Sequence, residues 1–238
     1  MTSTTTLWRP TGQTELDLVA QSGWKKWPPR LPEQPIFYPV LHRAYATRIT
    51  REWNVPAEGV GFVTRFDVAT DFLQPYPVQK VGGKDILEYW IPADHLEQLN
   101  ARIVGAIMKW AEYRGAIPTR EIREAETALG RVLPAAWSGY LQQPSWLRKG
   151  WLSEDCFLWL FRPSESFGTA AAWPAQSLHP GIFLIGGSDT EHLAVDLRLE
   201  NPPVVALPNV SRGWIDALPL TTDLAQFVTQ LENGTLKF

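Results

Sequence analysis

At 238 residues the chain is too long for one minimal domain and suits two of roughly 100 to 150 residues each. With 45% hydrophobic and 12% aromatic residues each half can build a core, which excludes extensive disorder. A net charge of −3 excludes a sequence-independent nucleic-acid binder, which needs a basic footprint to displace counterions. The acidic excess lies from Gly115 onward and suits a basic protein partner. Cys156 is the only cysteine, so no internal disulfide forms. His42, His95, His179 and His192 lack the i, i+4 spacing of a helical zinc site, so no metal is expected. The opening "MTSTTTLWRP" has no charged leader before an apolar run, and no segment is apolar for the length of a bilayer. The sequence therefore predicts a cytosolic protein with no membrane or nucleic-acid partner.

In chain order, "TELDLVAQS" reads as a short helix capped by Thr14, with Leu16 and Val19 on one face and Gly23 as the stop. "WPPRLPEQPIFYPV" is too rich in proline for a helix and predicts an extended path. "HRAYATRITREWN" spaces Tyr45, Ile49 and Trp53 every four residues and predicts a helix ended by Asn54 and Pro56. "GVGFVTRFDV" and "ILEYWI" read as strands. In residues 92–110 Pro92 opens a helix with Leu96, Leu99, Ile103 and Ile107 along one stripe. The pattern breaks at "RGAIP", which places a boundary between domains 1–114 and 115–238. Thr119 then caps a helix carrying Ile122, Ala125 and Leu129, and Thr222 caps a closing helix with Leu224, Phe227, Val228 and Leu231 on one face.

Between those helices, "IFLI", "GGSDTE" and "HLAVDLR" predict a β-hairpin whose two glycines supply positive φ at the turn. Period two places Leu193, Val195 and Leu197 on the core face, and His192, Ala194, Asp196 and Arg198 on the other. Asp196 is then either a solvated or capping aspartate or a catalytic one. Trp137, Trp146, Trp151 and Trp159 either pack a core or form a partner surface, and Trp146 and Trp151, flanking "LRKG", are the pair expected to be exposed.

The segments "I.EAE..LG..LP" from Ile122 to Pro134, "IGGSDTEHLAVDLR" and "PPVV" at Pro202 to Val205 resemble the SUKH superfamily, the Smi/Knr-type domain. The resemblance covers the last half of the chain, although a further glycine usual after the hairpin turn is replaced here by Thr190, Glu191 and His192. It implies a mixed α+β domain with a central antiparallel sheet that binds proteins and holds no catalytic residues. Bacterial members of this kind act as immunity proteins against polymorphic or contact-dependent toxins, and fungal members regulate cell-wall synthesis. A cognate toxin is the partner so implied, with Trp146, Trp151, Asp189 and Glu191 as the partner-binding residues.

In the first half, "LWRP", "SGW", "PPRLPEQPIFYPV", "EYWIPA" and "LNARIVG" resemble a compact bacterial domain described as ADP-ribosylation-related. The resemblance implies an ADP-ribosyltransferase-like α+β domain, and with it the alternative reading of an NAD-dependent enzyme. Arg9 would hold phosphate oxygens, Glu88 would face the oxocarbenium-like centre as nicotinamide leaves, Tyr38 would stack on the nicotinamide, and Thr64 in "FVTRF" would stand for the transferase strand threonine. In the competing structural reading Arg9 is a surface ion-pair partner and Glu88 a strand-edge charge. Immunity by binding needs no cofactor. The enzyme reading needs NAD.

Overall fold

The computed structural model describes residues 3–172 and 175–237. The chain forms two compact units, Met1–Arg114 and Gly115–Phe238, and the fold class is mixed α+β with antiparallel sheet.

The first unit runs β1 (Thr4–Thr11), α1 (Gln13–Gln21), β2 (Ile36–Phe37), α2 (Arg43–Ile49), α3 (Val55–Glu58), β3 (Val60–Ala69), α4 (Thr70–Leu73), β4 (Val78–Lys80), β5 (Leu87–Tyr89), β6 (Ile91–Pro92), α5 (Leu96–Asn100) and β7 (Ile103–Arg114). β3 lies between β1 and β7 and is antiparallel to both. Leu7, Trp27, Phe37, Phe66, Ile91 and Leu99 form the centre of its core. Each such side chain, fully buried, stabilises the unit by about 1.5–3 kcal/mol. The proline-rich segment forms no helix, turns once where the Gln34 N–H donates to the Leu31 carbonyl at 2.8 Å, and is joined by single bridges from Val40 to Trp8 of β1 and to Glu88 of β5.

The second unit runs α6 (Thr119–Leu129), α7 (Ala135–Leu141), β8 (Trp146–Ser153), β9 (Cys156–Leu160), α8 (Pro163–Ala172), α9 (Ala175–Leu178), β10 (Ile182–Gly187), β11 (Glu191–Asp196), β12 (Val204–Pro208), β13 (Leu218–Thr221) and α10 (Leu224–Glu232). Strands β8 to β13 lie side by side in sequence order, each antiparallel to the next. α7 and α10 meet through Trp137, which stacks on Tyr140 at 5.6 Å and tilts against Phe227 at 6.5 Å.

Several expectations are corrected. The helix read over residues 92–110 ends at Asn100, and Ile103 onward is β7, paired with β3. Leu96 and Leu99 do bury one helical face, but Ile103 and Ile107 are equally at home in a strand, and pairing with β3 decides the matter. The helix expected to stop at Pro56 instead passes through one π-helical turn, Thr50–Asn54, into α3, with Pro56 in its first turn, and stops at Gly59 with φ 72°. The extra residue in that turn rotates the helix face by about 100°. The buried positions are therefore Ala46, Thr50 and Val55, and Trp53 is turned out to 71% exposure.

The caps shift as well. Thr14 lies inside α1, which begins at Gln13, and Thr119 is the first residue of α6, preceded by Pro118. Asp223, not Thr222, caps α10 by accepting the Gln226 N–H at 2.7 Å. Gly186 and Gly187 belong to β10 rather than to the turn. A Cβ on Gly186 would stand 2.2 Å from the Trp159 carbonyl oxygen, so this glycine answers the close approach of β9 and not a positive φ.

Candidate functional site

In β1, period two places Arg9 on the same face as Leu7 and Thr11, both fully buried, and leaves it 7% exposed. A charge carried inward must be paired. The Arg9 guanidinium donates from Nε to Glu15 Oε1 at 2.9 Å and from Nη2 to Oε2 at 3.1 Å. Its Nη1 donates to the Tyr38 carbonyl at 3.3 Å, and its Cζ lies 4.3 Å from the centre of the Phe37 ring. Arg30 reaches the same carboxylate, Nη1 to Oε1 at 3.3 Å, and its other terminal nitrogen donates to Gln34. Burial first, and Arg9 second, push the Arg30 pKa down. Arg9 is thus an interior ion-pair partner, which corrects the surface-pair reading. Thr64 is fully buried and its hydroxyl donates to the Arg9 carbonyl at 2.8 Å, so it ties β3 to β1.

Glu88 is 8% exposed, which corrects the reading of an exposed strand-edge charge. Its Oε1 accepts the Trp90 indole N–H at 2.6 Å. It also accepts a hydrogen bond from the Tyr45 phenol, whose pKa is raised first by burial and then by this carboxylate. Trp90 at 43% exposure and Tyr38 at 39% meet edge to face, with ring centres 6.0 Å apart. The structure therefore brings Arg9 to Tyr38, Tyr38 to Trp90 and Trp90 to Glu88 in one run of contacts, and Thr64 adjoins it only through the Arg9 backbone. Glu15, Arg30, Tyr45 and Trp90 escaped the sequence reading. Only Trp90 left a signal there, two residues beyond Glu88 on an extended segment and so on the same side of it.

In the second unit, Trp146 is fully buried with its indole N–H donated to the Gly115 carbonyl at 2.9 Å, which corrects its expected exposure. At the start of β8 Trp146 and Leu147 are buried together, and Gly150 further along, so burial there does not follow alternation. Trp151 is half-buried against Phe157, 5.1 Å between ring centres. Asp189 is exposed and Glu191 half-buried at the tip of the β10–β11 hairpin. The tip is closed by its own hydrogen bonds: the Ser188 N–H donates to the Glu191 carbonyl at 2.8 Å, and the Ser188 hydroxyl accepts the N–H groups of Thr190 and Glu191, each at 3.3 Å. Asp196 accepts the Arg198 N–H at 3.0 Å and its guanidinium at 2.7 Å, which holds the carboxyl below the usual range. Of its two readings, the capping one describes these contacts.

The segment 209–217 folds back over one face of the sheet. Asn209 donates to the Asp189 carbonyl at 3.0 Å and to the Thr190 carbonyl at 3.1 Å, which sets Val210 beside the hairpin tip. Trp214 packs on the cluster of Leu184, Ala194, Val205 and Leu207 and donates to the Pro180 carbonyl at 3.1 Å. His179 and Ser211, both buried, share a hydrogen bond of 2.9 Å, and Arg212 pairs with Asp216 at 3.0 Å. On this braced segment Val210 is 91% exposed and Ile215 87%, and Leu218, where the edge strand β13 begins, is 57% exposed. Sequence reasoning missed all three, because an aliphatic residue in a loop carries no mark of its exposure.

Compared with known proteins, the chain matches no protein-family model and no curated protein. Among the described residues no His, Cys, Asp and Glu side chains converge as a metal-ligand set, and no helix is long and apolar enough to cross a membrane.

Proposed function

We propose that the chain is a non-catalytic binding protein of the SUKH immunity type, which neutralises a toxin by direct contact through its second unit. One observation carries the reading. Val210, Ile215 and Leu218 stand exposed on a segment fixed by internal hydrogen bonds, with the acidic hairpin tip of Asp189 and Glu191 beside Val210. Exposed aliphatic side chains held in place lose little entropy when covered, and an acidic border steers a basic partner toward them. The occupant is thus a basic protein such as a nuclease toxin, and association slows as salt rises.

The test is complex formation between the full chain and the toxin domain encoded beside it, followed by calorimetry. A stoichiometric complex that Val210→Asp with Ile215→Asp weakens by about a hundredfold is expected. Absence of both a complex and protection of toxin-exposed cells sinks the reading.

The NAD-dependent reading of the first unit is favoured by a different observation, the run of contacts from Arg9 through Tyr38 and Trp90 to Glu88. In it the exposed Tyr38 and Trp90 rings offer stacking faces and Glu88 a carboxylate, while Arg9 and Thr64 act as scaffold. NAD cleavage abolished by Glu88→Gln in a folded protein supports it, and no cleavage by the wild type removes it.

A further inference from the structure

Backbone hydrogen bonds fix the two ends of the segment 209–217. The Asn209 N–H donates to the Thr190 carbonyl at 3.1 Å, and the Asp216 and Ala217 N–H groups donate to the Gly213 and Trp214 carbonyls at 3.0 and 3.2 Å. The middle is held by side chains, which divide by position. Val210, Arg212 and Ile215 stand outward in solvent, while Ser211 is buried and Trp214 packs on the sheet cluster.

Both inward side chains meet one residue. His179, fully buried just after α9, shares a hydrogen bond of 2.9 Å between its Nε2 and the Ser211 hydroxyl. Its ring meets the Trp214 ring edge to face, with centres 5.4 Å apart. The next residue, Pro180, accepts the Trp214 indole N–H at 3.1 Å. The Ser211 hydroxyl carries the hold onward by accepting the Gly213 N–H at 3.3 Å. Burying an imidazole costs desolvation that an aliphatic side chain of similar volume would not incur. What the imidazole adds is the bond to Ser211. A segment ordered before it binds loses less entropy when covered, so a residue that orders it raises affinity without touching the partner.

We propose that His179 is the positioning residue of the partner surface, holding 209–217 through Ser211 and Trp214 in the form that presents Val210 and Ile215. The inference rests on the toxin-binding reading of the second unit, and adds to that surface a residue buried out of the partner's reach.

The experiment pairs hydrogen exchange of the full chain, read by mass spectrometry, with calorimetric titration of the toxin domain encoded beside it. His179→Phe keeps a ring beside Trp214 and loses the bond, Ser211→Ala removes the bond from the other side, and His179→Gln restores a polar group at similar reach. In His179→Phe and Ser211→Ala, exchange within 209–217 is expected to rise about tenfold or more while β10 and β11 keep wild-type protection. The complex is expected to weaken about tenfold, since ordering is then charged to binding, and the same peptides regain wild-type protection once bound. His179→Gln is expected to recover most of both losses. Ser211→Ala, which removes one oxygen from a loop residue, carries the test if His179→Phe does not fold. Loosening that spreads to β10 and β11 marks a merely structural role and overturns the proposal. So does unchanged exchange within 209–217 in a folded variant, or a loosened segment that binds with wild-type affinity. Absence of a wild-type complex removes the toxin reading and this inference together, whereas a wild-type complex that both variants leave intact removes the inference alone.

Discussion

The two units bury charge to different depths. In the first, Arg9, Glu15, Arg30 and Glu88 are drawn into the interior, where Glu15 holds both arginines and Trp90 holds Glu88. The second buries aliphatic and aromatic side chains, while Arg198–Asp196 and Arg212–Asp216 pair within four residues at its surface. A buried charge network costs desolvation and is weak support for stability, whereas close pairs at the surface contribute little either way. The difference teaches where to look for function: inside the first unit, and on the outer surface of the second.

The sharpest way to break this contrast is to attack each interior by its own weakness. Trp146→Ala leaves a large cavity and an unsatisfied Gly115 carbonyl in the second unit, and a loss of about 3–5 kcal/mol is expected in urea unfolding of the full chain. Glu15→Ala leaves two buried guanidiniums without their carboxylate, and a loss of about 3–5 kcal/mol is expected in the first unit. Removing the exposed Asp189 carboxylate by Asp189→Asn is expected to change stability by less than about 0.5 kcal/mol. Similar effects for Glu15 and Asp189 would erase the distinction between the units.

Smaller effects sharpen it. Gly186→Ala forces a methyl group against the Trp159 carbonyl, with an expected cost of about 1–3 kcal/mol. The Asp196 carboxyl is held down by hydrogen bonds from Arg198, so its contribution is present above the unfolded carboxylate pKa of about 3.9 and is lost as pH falls through the lower folded value. Asp196→Asn is therefore expected to flatten the fall in stability below about pH 4, read as melting temperature against pH. Val210→Ala with Ile215→Ala is expected to leave the melting temperature within a degree or two while weakening partner binding, since these side chains are almost wholly in solvent.

Part of the candidate site was legible. Arg9 and Tyr38 were singled out from the sequence, and the structure joins them, although through the Tyr38 carbonyl and not its ring. Glu15 and Arg30 were not: the turn from β1 into α1 brings Glu15 to Arg9, and the return of "WPPRLPEQPIFYPV" to β1 at Val40 brings in Arg30. Trp146 was misplaced for a related reason. The charged "LRKG" beside it suggested exposure, but the burial of a side chain is set by what packs over it and not by its neighbours in sequence.

By itself the sequence determined the local features whose causes are local. Gly130 and Gly234 end α6 and α10, the prolines keep 27–40 out of a helix, and "HLAVDLR" makes a hairpin strand. Tertiary structure alone decided that 103–110 is a strand, that Ala194 on the supposed outer face is fully buried under the 209–217 segment, and that two arginines share one glutamate. Backbone propensity and periodicity are properties of a few consecutive residues, whereas burial and pairing depend on what packs against them from elsewhere in the chain, and no spacing within a segment encodes that.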